Sequence, residues 1–136
     1  MQRALAIPVV AFVLASGCGS SEASAKTTFV GGVDQIRGTY NAEKLRGQLM
    51  QTIRSLRATN ASSAADRLGK RLALRGFGWT LRGAEARIEI RVNDSGNLEA
   101  SVNDAKRADR YLNKGADLLR AAGRAFGVRI GKLNGH

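Results

Sequence analysis

The sequence has one cysteine, one histidine and seven aromatic residues in 136 positions. The histidine, His136, is the last residue, which leaves no histidine-based metal centre and no nucleophile–histidine triad. A serine nucleophile would then need a lysine base. No serine stands three residues ahead of a lysine, and no G-x-S-x-G occurs. A lone cysteine cannot close an intrachain disulfide, and seven aromatics offer little to stack nucleic-acid bases on. Acidic residues are sparse as well, 11 against 22 Lys and Arg, for a formal charge of +11. Asp104, Asp109 and Asp117 stand among Lys106, Arg107, Arg110 and Lys114, which would repel a hard cation. Gly76-Phe77-Gly78 lacks the third glycine at phosphate-loop spacing. We therefore expect neither a metal nor a cofactor.

Long apolar runs are also missing, with one exception. Residues 4–15 (ALAIPVVAFVLA) are continuously apolar, follow Arg3 and end at Ser16-Gly17. A bilayer span needs roughly 20 apolar residues, so this shorter run reads as a secretion signal. It continues Leu14-Ala15-Ser16-Gly17-Cys18 into the polar GSSEASAKTT. These residues resemble the lipobox of bacterial lipoproteins, over about the first 25 positions only, with Ala15 where that family more often carries Leu. The resemblance implies that residues 1–17 are removed and that Cys18, lipidated, becomes the first residue. The protein is then held at the cell membrane or envelope, on the extracytoplasmic side. An acylated Cys18 is neither a nucleophile nor a metal ligand.

The remaining chain divides into a Ser-, Gly- and Thr-rich stretch at 18–38, read as a flexible tether, and one domain at 39–136. Ala42, Leu45, Leu49, Ile53 and Leu56 recur at helical spacing, with Asn41 as N-cap, and predict a helix over 42–58. A second helix is expected over 62–75, with Gly76 at its C′ position. Phe77, Trp79 and Leu81 then alternate, and Ala84, Ala86, Ile88, Ile90 and Val92 alternate in shifted phase. That pattern predicts strands at 77–82 and 85–93, a hairpin loop at 93–97 and a returning strand at 98–102. A last helix spans 105–126 between Asn103 and Gly127, and Val128 and Ile130 suggest a final short strand. The order α-α-β-β-β-α-β is an α+β class, two or three helices on a small, mostly antiparallel sheet. Its rival is one helix over 64–92, because Leu74, Phe77, Leu81, Ala84, Ile88 and Val92 also fit three-four spacing. Three glycines and the β-branched run oppose it. Helix, the hairpin IEIRVNDSGNLEASV, helix, then GVRI resembles in order the small lipid-binding BON domains of bacterial envelopes, a likeness of topology that carries no function.

Basic residues are the remaining signal. Arg46, Arg54 and Arg57 flank the apolar face of the first helix, and Arg75, Arg82, Arg87 and Arg91 surround Phe77 and Trp79. We take these seven as candidate polyanion contacts. Lys106, Arg110, Lys114, Arg120 and Arg124 read as the solvated face of the last helix. The expectation is a non-enzymatic lipoprotein, with the membrane as partner through Cys18. Its basic faces would engage anionic lipid, a cell-wall polymer or a protein partner. Two readings of other classes stay open. A nucleic-acid surface would need Trp79 exposed beside Arg75, Arg82 and Arg87, and an enzyme would need a pocket gathering at least two of Glu85, Glu89, Glu99, Tyr40 and Tyr111.

Overall fold

A computed structural model describes residues 24–92 and 96–133, so the signal segment and Cys18 lie outside the described residues. Four helices are found among these: α1 Ala25–Gly38, α2 Ala42–Arg57, α3 Ala64–Val92 and α4 Leu98–Phe126. They run alternately up and down as a helical bundle. The one β-bridge, Ser24 with Asn60, is isolated, and the described residues contain no sheet. The expected α+β class is thereby corrected. The segments read as strands at 77–82 and 85–93 belong to α3 as far as Val92, the one at 98–102 opens α4, and 128–130 is irregular. The helix–hairpin–helix–strand order quoted for BON domains is not the order of these elements.

Helix α2 occupies the span its periodicity predicts. Asn41 Oδ1 accepts from the Lys44 amide at 3.0 Å, and Leu49 and Leu56 are buried. Helix α4 starts earlier than expected: Asn97, not Asn103, supplies the cap, its Oδ1 accepting from the Ala100 amide at 3.2 Å. Gly127 ends it in the left-handed region at φ 74°, a conformation that glycine adopts without a Cβ penalty. Gly96, also at positive φ, lies in the α3–α4 turn, so the turn signal at 93–97 marks a joint between helices; residues 93–95 lie outside the described residues.

The reason α3 does not stop at Gly76 is its seam with α4. Gly69 faces Phe126, Gly76 faces Leu119 and Gly83 faces Leu112. Each step of seven up α3 is matched by a step of seven down α4, the repeat of an antiparallel coiled coil. A Cβ on any of these three glycines would lie 2.6–2.8 Å from the facing side chain, so the missing side chain is the seat of the larger residue. The sizes reverse one layer on, where Gly115 takes Thr80. The Thr80 hydroxyl, buried there, donates to the Gly76 carbonyl at 2.9 Å. Glycine inside a helix costs about 1 kcal/mol relative to alanine. Burying a Leu or Phe returns about 1.5–3 kcal/mol, which outweighs it.

Helix α1 corrects the tether reading from Ala25 onward. Ser24 caps it, Oγ accepting from the Thr27 amide at 3.1 Å, and Phe29 is 0% exposed. Its ring packs between Phe77 and Phe126, centroids 6.0 and 5.1 Å away. Thr39 Oγ1 to Gln48 Oε1, 2.7 Å, and Thr52 Oγ1 to Gln35 Oε1, 3.2 Å, join α1 to α2. The three phenylalanines at the centre of the core come from three different helices.

Candidate functional site

The up-and-down course gathers at one end the start of α1, the end of α2, the start of α3 and the end of α4. Ser24 is bridged to Asn60, and Lys70 Nζ donates to the carbonyls of Arg57 at 3.1 Å and Thr59 at 2.6 Å. A cation there also complements the α2 dipole. Between positions 54 and 75 six basic residues stand against one acid, Asp66. Around Ser24 this end carries the exposed side chains of Lys26, Arg57, Arg67, Arg71 and Arg124. None of these five has an ion-pair partner among the described residues. At the opposite end, positions 82–92 and 96–110 hold six basic and five acidic residues. Two of those cations are neutralised, Arg87 by Asp109 at 3.1 Å and Arg107 by Asp104 at 3.4 Å. Among the described residues the positive charge is therefore concentrated toward the end that holds Ser24.

The six expected polyanion contacts whose side chains are described are spread along α2 and α3. Arg54, Arg57 and Arg75 are exposed in the basic half, and Arg46 lies farther up α2. Arg82 sits on Trp79, and Arg87 is turned about 140° away around α3 at 100° per residue. The Arg91 side chain lies outside the described residues. Trp79 is half-buried, its ring contacted by the Arg82 guanidinium at 4.7 Å, Lys114 Nζ at 4.1 Å and the Tyr111 ring at 5.5 Å. These neighbours already contact the ring on which a base would have to stack. Arg67 and Arg71 stand four apart and share a face of α3 with Arg75, but no spacing along the chain relates them to Lys26 or Arg124; only the packing brings those helix ends together.

A second feature lies at the level of the α1–α2 turn. The 29-residue α3 and α4 extend about 43 Å, against about 21 and 24 Å for the 14 and 16 residues of α1 and α2. The short pair ends part-way along the long one. A cleft of about 880 Å³ occupies the step, closed on one side by the segment after Gly127, whose Leu133 is buried. Its floor is aliphatic, and Arg37, Arg87, Asp109 and Lys132 line it together with Tyr40, which is 94% exposed. Of the carboxylate and tyrosine set Glu85, Glu89, Glu99, Tyr40 and Tyr111, Tyr40 alone lines this cleft, and the three glutamates are exposed. Among the described residues no three His, Cys, Asp or Glu side chains come together, and no helix is long and apolar enough to cross a membrane.

Compared with models of protein families, with curated proteins and with solved structures, the chain matches none.

Proposed function

We propose that the protein is a non-enzymatic, lipid-anchored helical module that lies with its basic end against an anionic membrane surface. The observation that supports this reading is a coincidence of position: the chain enters the bundle at Ser24, beside Asn60, at the end where unpaired cations collect. With α1 beginning at Ala25, only six residue steps separate Cys18 from Ser24. Fully extended, six residues reach about 20 Å. A lipidated Cys18 then holds the basic end within about two and a half Debye lengths of the head groups at physiological salt, and closer when the segment is not fully extended. Each Lys or Arg near an anionic leaflet contributes about 1 kcal/mol. One acyl chain by itself binds reversibly, so the cations supply a second attachment.

The test is sedimentation of the chain lacking residues 1–18 with vesicles containing phosphatidylglycerol. Binding is expected to fall steeply as salt rises. Replacing Arg57, Arg71 and Arg124 by Glu should weaken it by more than a hundredfold, on about 1 kcal/mol per lost charge. The same reversal at Lys106, Arg107 and Arg110, at the balanced end, should change it far less. Equal losses from both triple variants would overturn the oriented reading.

A further inference from the structure

We infer that the cleft at the α1–α2 turn is a binding site for a single-chain amphiphile with a carboxylate head, of the size class of a fatty acid. The floor is built from Ile36, Leu45, Leu112, Leu119 and Leu133, side chains of three helices and the C-terminal segment. Such a surface recognises a hydrocarbon chain, and about 880 Å³ lies within the roughly 300–1,000 Å³ of ligand pockets. The rim gives the sign of the head group. Arg37, Arg87 and Lys132 face one acid, Asp109, and Asp109 already accepts from Arg87 at 3.1 Å. Arg37 has only the exposed Asp34 at 3.8 Å, and Lys132 has no ion-pair partner among the described residues. The lining carries three cations against one acid at the mouth of an aliphatic cleft, with Lys132 unpaired among the described residues and Arg37 held only by the exposed Asp34, and the exposed Tyr40 adds a hydroxyl donor. A neutral chain would leave that positive excess unbalanced, and a cationic one would be repelled.

The site is separate from the basic end. Along α1 it lies about 20 Å from Ser24, the length of the helix itself. The two therefore fail independently. On the proposed orientation, an amphiphile there would be held above the membrane plane, with its chain against the aliphatic floor of the cleft.

The full chain in phosphatidylcholine nanodiscs is to be exposed to a diazirine-bearing dodecanoate, irradiated, and the labelled positions mapped by mass spectrometry. Labels are expected at 36–45, 112–119 and 132–133, with dodecanoate competing and dodecanol competing poorly. Arg37→Glu combined with Lys132→Glu, both on exposed side chains, should lower cleft labelling about tenfold. An unchanged circular dichroism spectrum keeps that loss attributable to the rim. Labelling centred instead on the exposed Leu98 and Val102 would mean nonspecific adsorption and overturn the assignment. Equal competition by dodecanol would overturn the carboxylate, and cleft labelling that vanishes as protein concentration rises would make a second copy the occupant. The vesicle experiment above reads none of these outcomes.

Discussion

Gly76 and Gly78 stand two positions apart on α3 and meet opposite surroundings. A Cβ at Gly76 would approach the Leu119 side chain at 2.8 Å and its backbone nitrogen at 3.0 Å, whereas one at Gly78 would meet nothing within 4 Å. Backbone cannot yield as a flexible side chain can, so Gly76→Ala should lose about 1–3 kcal/mol to overpacking, reduced by the better helix propensity of alanine. Gly78→Ala has the propensity gain alone and should stabilise by about 0.5–1 kcal/mol. Urea midpoints of the two variants, moving in opposite directions, test the seam directly. In a strand, positions 76 and 78 point to the same face and would respond alike. Matching shifts would therefore argue for the extended reading of this stretch and against α3.

The helices differ in how much of themselves they display along the chain. Helix α2 is amphipathic and capped by Asn41, and its limits are legible to within a residue. Helix α3 is less legible, because its seam with α4 is lined by Gly69, Gly76 and Gly83 where an amphipathic helix carries large apolar residues. It keeps an exposed polar stripe of Arg67, Arg71, Arg75, Arg82, Glu85 and Glu89, but with glycine on the seam the 3.6-residue signal is weak. The alternation of Phe77, Trp79 and Leu81 then imitates a strand: Phe77 points into the core, while Trp79 lies among Arg82, Lys114 and Tyr111. The glycines that argue against a helix are the residues that let α4 approach it. Helix α1 was hidden for a related reason, since Ser, Gly and Thr dominate its surroundings and Phe29 is its only large aromatic. Truncating a fully buried Phe costs about 3–5 kcal/mol, a large part of the 5–15 kcal/mol that holds a domain folded. Phe29→Ala should show that loss in thermal or urea unfolding. A flexible tether would leave stability unchanged.

For the molecule as a whole, anchoring and orientation are separable. Cys18→Ser removes the acceptor of the expected lipid and should move most of the protein out of the membrane fraction at high salt, without altering its helical content. Continued retention of a processed Cys18→Ser protein at high salt would remove the lipid anchor from the proposal. The basic end would then have to bind by itself. Retention lost only on raising salt identifies the electrostatic part, because exposed charges are screened and an acyl chain is not. Membrane fractionation across salt concentrations reads both contributions.

The sequence alone dictated a good deal: a single histidine and a single cysteine narrow the chemistry, and the run before Cys18 suggests an address. It also determined α2, the end of α4 and the position of the α3–α4 turn, since caps and glycine stops act over a few neighbouring residues. The class of fold was decided by packing. Gly69, Gly76 and Gly83 read as breaks until Phe126, Leu119 and Leu112 fill them, and that pairing joins positions up to 57 residues apart. The grouping of Lys26, Arg57, Arg67, Arg71 and Arg124, and the step that opens the cleft, likewise arise from helix lengths and directions. Local preference acts over one or two turns, whereas burial acts between whatever surfaces the chain brings together.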